Sequence, residues 1–258
     1  MILAIDIGNT NICVGCLDET RVYFSEQLST DNRKTDLEYA VSIKNILEIY
    51  RIPPEKISGG ILSSVVPPLS HTIRRALEKL LKKPILTVGP GLKTGLNIQI
   101  DNPAQLGSDL VVDAVAGLAA YPLPLILIDM GTATILSVLN QKGSYIGGSI
   151  LPGLRVSLDS LVSSTSQLPR ISLEDPKRAI GRSTVECMKS GILYGTASML
   201  DGMIDRFEEE LGAPATIVAT GELAQTILPH CRHRIHYDST LVLRGLFILY
   251  QKNQPRQS

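Results

Sequence analysis

The alternation of apolar and polar positions divides the chain into two successive runs of elements in nearly the same order. Apolar stretches at 2–7, 11–17 and 22–27 read as three strands. Asp36 caps a helix to about residue 50, with Leu37, Val41, Ile46 and Leu47 on one face. An apolar strand at 57–66 ends at Pro67-Pro68, which lead into a helix over 70–82 and a short strand at 84–88. An Ala- and Val-rich stretch opening near Gly107 reads as a buried helix. The order then restarts, with strands at 124–130, 133–139 and 144–151. A helix from Pro152-Gly153 to Leu161 follows, then a polar loop at 163–166 and a long helix over 183–211. A strand at 215–219, a short helix to Leu228 and a last helix over 240–250 complete the second run.

Two α/β domains, 1–119 and 120–250, with an interdomain cleft and a polar tail at 251–258, are the economical reading. The repeat extends to single residues. Leu3-Ala4-Ile5-Asp6-Ile7-Gly8-Asn9-Thr10 matches Leu127-Ile128-Asp129-Met130-Gly131-Thr132, and each leads into another β-type run. A strand, a tight turn and a strand built this way offer Gly, hydroxyl and backbone N–H groups to a phosphate. Asp6 and Asp129 stand at strand ends as oxygen ligands for a hard cation. Gly8, Asn9, Thr10, Asn11 and Thr132 offer donors for phosphate oxygens. Such a pair of turns points to phosphoryl transfer.

Composition narrows the field. Lys plus Arg equals Asp plus Glu at 25 each, which gives no basic surface for nucleic acid or anionic membrane. No apolar run approaches the roughly 20 residues of a membrane span, and Met1-Ile2-Leu3 enters the first strand without a basic leader. A cytoplasmic protein is expected. The four cysteines do not make a disulfide framework in a chain of 258 residues. Cys13 and Cys16 are three apart on a strand and face opposite sides. His230, Cys231, His233 and His236 crowd one stretch, which reads as a solvated turn rather than a zinc site. Neither a Walker loop nor a G-x-G-x-x-G after a strand is present. Asp109 falls in the first turn of its helix among small and apolar residues. Two readings stand: an acid favoured by the helix N-terminus, or a general base.

Further motifs occur in order: Ser63-Ser64-Val65-Val66-Pro67, Gly89-Pro90-Gly91-Leu92-Lys93-Thr94-Gly95, Asp101-Asn102-Pro103 and Gly147-Gly148-Ser149-Ile150-Leu151-Pro152-Gly153. With the two Asp-bearing turns, Leu168-Pro169 and Ser190-Gly191, the chain resembles type III pantothenate kinases from end to end. The resemblance implies two duplicated ribonuclease H-like domains of the actin-like ATPase class. It implies phosphorylation of pantothenate by ATP with Mg²⁺, the first step of coenzyme A synthesis, in a homodimer. By this resemblance Asp6, Ile7, Gly8, Asn9, Thr10, Asn11, Ile12, Cys13 and Thr132 bind ATP, and Asp129 binds a monovalent cation, K⁺ or NH₄⁺. Asp109 accepts the hydroxyl proton, and Ile100, Gly107, Ser108, Asp109, Leu110 and Thr184 contact the acceptor.

The chain departs from the family pattern at the acceptor. Gly107-Ser108-Asp109-Leu110 stands where the family reads Gly-Ala-Asp-Arg, and Ile100 stands where it has Tyr. Glu222 replaces a usual Gly after Thr220-Gly221. Beside the pantothenate kinase, these departures leave two other readings: a nucleotide-binding regulator with little kinase activity, and a kinase for a related small hydroxy acceptor.

Overall fold

The computed structural model describes residues 1–254. They form two compact units, one of 1–96, 101–119 and 240 onward, the other of 97–100 and 120–239.

The first unit holds a five-stranded sheet of β1 (Ile2–Ile7), β2 (Asn11–Leu17), β3 (Val22–Ser29), β4 (Gly60–Ser64) and β5 (Ile85–Thr87), in the order β3-β2-β1-β4-β5. The first three strands form an antiparallel meander, and β4 and β5 add in parallel to β1. Helices α1 (Asp36–Ile49) and α2 (Pro67–Leu81) make the crossovers. A capping box starts α1: Thr35 accepts from the Glu38 N–H, and Glu38 accepts from the Thr35 N–H. The buried stripe of α1 is Tyr39, Ala40, Ile43, Ile46 and Leu47, whereas Leu37 and Val41 are 62% and 48% exposed. The expected face was therefore rotated. The sheet selected the stripe that carries Tyr39, whose hydroxyl donates to the Asp31 carbonyl. Helix α2 begins at the prolines rather than after them, because a first-turn residue needs no N–H partner.

Strand alternation separates two cores. Leu3, Ile5 and Ile7 pack with α1 and α2. Ile2 and Ala4 pack on the other face with α3 (Ser108–Ala120) and α7 (Leu241–Lys252) through Val112, Val115, Leu243, Leu246 and Leu249. Helices α3 and α7 approach so closely that a Cβ on Gly245 would lie 2.2 Å from the Val112 carbonyl oxygen. The chain's last helix thus belongs to the first unit, unlike a division into 1–119 and 120–250. The physical reason is the apolar face of β1 and β4, which α7 covers. The expected tail also differs at its start. Gln251 and Lys252 close α7, Lys252 Nζ donates to the Thr94 carbonyl (2.8 Å), and the Asn253 side chain bonds both the N–H and the carbonyl of Lys93 (2.9 Å each). Residues 255–258 lie outside the described residues.

The second unit repeats the plan with β7 (Leu125–Met130), β8 (Ala133–Leu139), β9 (Ser144–Pro152), β10 (Thr216–Thr220) and β11 (His236–Tyr237), ordered β11-β10-β7-β8-β9. A two-residue strand, β6 (Asn97–Ile98), adds in parallel beyond β9. Helices α4 (Leu154–Ser163) and α5 (Thr184–Leu211) connect β9 to β10, and α6 (Ala224–Ile227) lies between β10 and β11. The long α5 starts at Ser183, which accepts from the Glu186 N–H, and buries Leu193, Ala197, Leu200 and Ile204 against Ile126, Ile128 and Ile217. Duplication is visible residue by residue: β1 and β7 share one sequence of buried and half-buried positions, and so do β2 and β8. Each unit is a ribonuclease H-like α/β domain, and the chain has the duplicated architecture of actin-like ATPases. No helix among the described residues is long and apolar enough to cross a membrane.

Candidate active site

In the first unit the turn after β1 is closed by the Gly8 N–H, which donates to the Asn11 carbonyl at 3.0 Å. Thr30, just past β3, fastens the turn from the side. Its hydroxyl donates to the Gly8 carbonyl (2.7 Å) and its N–H to the Thr10 carbonyl (2.9 Å). Sequence reading missed Thr30, since a threonine after a strand carries no signal of what it will touch. Asn9 and Thr10 are exposed and Asn11 is half-buried, so their polar groups can meet a ligand. Ile7 and Ile12 are 0% and 1% exposed, which leaves only their backbone for binding. Cys13 lies 3.6 Å from the Ser25 hydroxyl, and burial pushes its thiol up to about 11. It is a neutral packing group at ordinary pH.

Asp6 follows Ile2 and Ala4 at the strand period, and so points to the α3 face. Its register partners are Cys13 on β2 and Ser63 on β4. Ser63 is fully buried and lies 2.9 Å from the Ser108 hydroxyl, with Ser63 donating. The Ser108 hydroxyl also takes the Ser64 N–H (3.2 Å) and donates to the Ser64 carbonyl (3.0 Å). The start of α3 is thereby pinned to the carboxyl end of β4, beside the strand that carries Asp6.

The next residue is Asp109. Its Oδ1 accepts from the Leu110 N–H at 2.9 Å, so the carboxylate curls back over the start of its own helix. Gly107 makes this possible, because a Cβ there would fall 2.3 Å from that same oxygen. Burial pushes the Asp109 carboxyl pKa up, opposed by the Leu110 and Asp109 N–H groups. A half-buried carboxylate of raised basicity, held by backbone bonds, is suited to accept a proton. The first unit thus brings together Asp6, the turn to Cys13, and Gly107, Ser108, Asp109 and the half-buried Leu110.

The remaining expected residues belong to the second unit. Asp129 is the next-to-last residue of β7, opposite Ile135 and Thr220. The Gly131 N–H donates to the Ala133 carbonyl at 3.0 Å, the counterpart of the Gly8 bond, and Thr132 is exposed in that turn. Ile100 is half-buried just beyond β6, at the opposite edge of the sheet from β11. Thr184 is exposed at the first position of α5. The histidine-rich stretch is held by carboxylates: His230 Nε2 lies 3.0 Å from Asp175 and His233 Nε2 lies 2.8 Å from Asp205.

Among the described residues no group of three or more His, Cys, Asp or Glu side chains could cage a metal. Asp6 and Asp129 each offer a carboxylate at a strand end. Either carboxylate, taken by itself, suits a hard cation that keeps water and phosphate oxygens in its shell.

Fold and turns together define a duplicated two-domain α/β protein of the actin-like fold, with an Asp-bearing turn after the first strand of each unit. Residues 2–206 match the family model of type III pantothenate kinase. The chain is 41% identical over 254 residues to the type III pantothenate kinase of an Exiguobacterium species, covering 98% of this chain and all of the relative. It is equally similar, 41% over 253 residues, to the enzyme of the same name from Bacillus cytotoxicus, covering 98% and 97%. A solved structure from Campylobacter jejuni, of a conserved protein assigned to the Baf family of transcriptional activators, has the same fold. Its TM-score is 0.62 at 18% identity over 98% of each chain. The chain belongs to the type III pantothenate kinase family, whose members are kinases that phosphorylate pantothenate with ATP at the first step of coenzyme A biosynthesis.

Proposed function

We propose that this chain transfers the γ-phosphoryl group of ATP to the hydroxyl of pantothenate, with Asp109 as proton acceptor. As the hydroxyl oxygen attacks the γ-phosphorus, the Asp109 carboxylate takes the proton, and ADP and 4'-phosphopantothenate are released. The turn from Asp6 to Cys13 holds ATP phosphates through Gly8, Asn9, Thr10, Asn11 and the backbone of Ile7 and Ile12, and Thr132 takes part. Asp6 would supply an oxygen donor to Mg²⁺ bound with ATP, and the ion would neutralise charge on the phosphate oxygens. Asp129 holds the monovalent cation, K⁺ or NH₄⁺. Ile100, Gly107, Leu110, Thr184 and the backbone of Ser108 contact the acceptor, the Ser108 hydroxyl being taken up by Ser63 and Ser64.

The observation that carries this reading is the placement of Asp109. It is fixed by backbone bonds at the start of α3, on the sheet face to which Asp6 points, with its basicity raised by burial. The protein works as a cytoplasmic homodimer in this reading. Asp109→Asn tests the base. Loss of a general base costs roughly 10²- to 10⁴-fold in kcat, with ATP binding retained. Undiminished turnover of this variant refutes the role.

A further inference from the structure

We infer that Ser108 is a positioning residue: its hydroxyl, bonded to Ser63 and Ser64 at the end of β4, sets where the neighbouring Asp109 carboxylate stands. The inference rests on Asp109 being the proton acceptor. It starts from a feature of this chain, since the family motif that it resembles has Ala where Ser108 stands.

The geometry is specific. One hydroxyl meets three partners on two successive residues of β4: Ser63 Oγ at 2.9 Å, the Ser64 N–H at 3.2 Å and the Ser64 carbonyl at 3.0 Å. Ser63 is fully buried and is the register partner of Asp6 on β1. The bonds therefore link the strand pair that carries Asp6 to the first residue of α3. Asp109 comes next, and its carboxylate bends back onto the Leu110 N–H at the same helix end. Its position relative to the sheet is then fixed by one backbone unit and by the Ser108 anchor. Elsewhere α3 is held by apolar contacts through Val112 and Val115, a turn or more away. Those contacts fix the axis of the helix and leave the pose of its first turn to polar bonds, which are directional where apolar contacts are not.

The test is a cycle of Ser108→Ala, Asp109→Asn and the double variant, assayed for ATP-dependent phosphorylation of pantothenate. Ser108→Ala is expected to lower kcat about tenfold, the scale of a slightly misplaced catalytic group, with the KM for ATP within about twofold of wild type. In the Asp109→Asn background the same change is expected to cost nothing further, because the carboxylate that Ser108 orients is gone. A merely structural serine would lower both backgrounds equally. If Ser108→Ala melts early, Ser63→Ala removes one of the three bonds from the strand side and is read in the same cycle. A kcat for Ser108→Ala within twofold of wild type, or equal losses in both backgrounds, overturns the inference while an inactive Asp109→Asn leaves the base in place. A fully active Asp109→Asn instead overturns the base, and with it the ground for Ser108.

Discussion

Gly107→Ala gives the sharpest reading of how the proposed base, Asp109, is held. A Cβ at this position would lie 2.3 Å from Asp109 Oδ1 and 3.5 Å from its Cγ, and the structure shows no other atom within 4 Å among the three nearest beyond Oδ2. The clash is with the end of a side chain and not with backbone, so the fold can yield by swinging the carboxylate away. Relief to ordinary contact requires a movement of about 1 Å. That would stretch the 2.9 Å bond from the Leu110 N–H beyond hydrogen-bond range. A bond to a charged acceptor is worth roughly 1.5–3 kcal/mol, and displacement of a reacting group by about 1 Å costs on the order of 100-fold in rate. Exchange of Gly for Ala just before a helix costs at most about 1 kcal/mol in stability. The expected result is a kcat lowered roughly 10- to 100-fold, with only a small drop in Tm and little change in the KM for ATP. Coupled measurement of ADP release under saturating ATP, with a thermal melt, reads both. A variant with wild-type kcat would show that the curled-back carboxylate is not the reactive pose.

Further outcomes follow from the same coordinates. Since burial raises the Asp109 pKa in the free protein, the proposed base loses its charge at a higher pH than an ordinary carboxylate, so the acid limb of kcat/KM against pH falls above 3.8; a limb at or below that value contradicts the site. A carboxyl whose pKa is raised on folding stabilises the fold below its unfolded pKa and loses that contribution as pH rises through the folded value. Asp109→Asn should therefore melt at a higher temperature than wild type at pH 7, with the gain shrinking as pH falls through the folded value and gone below about pH 4; equal melting of the two proteins at pH 7 is the contrary result. Leu110→Arg restores the cation of the family motif, and one hydrogen bond to a charged acceptor should lower the KM for pantothenate roughly 10- to 100-fold; an unchanged KM would show that acceptor recognition does not need it. Gly245→Ala brings a Cβ to 2.2 Å from the Val112 carbonyl, and overpacking of this kind costs about 1–3 kcal/mol, visible as an earlier denaturant midpoint.

What the sequence alone determined is local. The duplicated Asp-x-Gly turns, their flanking strands and the start of α5 at Ser183 follow from side-chain period, turn residues and caps, which act over a few positions and are written in order along the chain. The bounds of β1, β2 and β8 agree with the apolar runs to the residue. The motifs of the first turn and around Asp109 were legible for the same reason. What only the tertiary structure decided is which surfaces meet. The rotated face of α1 was chosen by the sheet beneath it, which buried Tyr39 and left Leu37 and Val41 in water. Helix α7 crossed to the first unit because Leu243, Leu246 and Leu249 cover the face of Ile2, Ala4 and Ile61, a pairing of residues more than 180 positions apart that no local pattern encodes. The Ser108 hydroxyl gained its partners only when packing brought β4 within its reach. Thr30 was silent in the same way, since a hydroxyl acquires its meaning only from the carbonyl that packing brings to it.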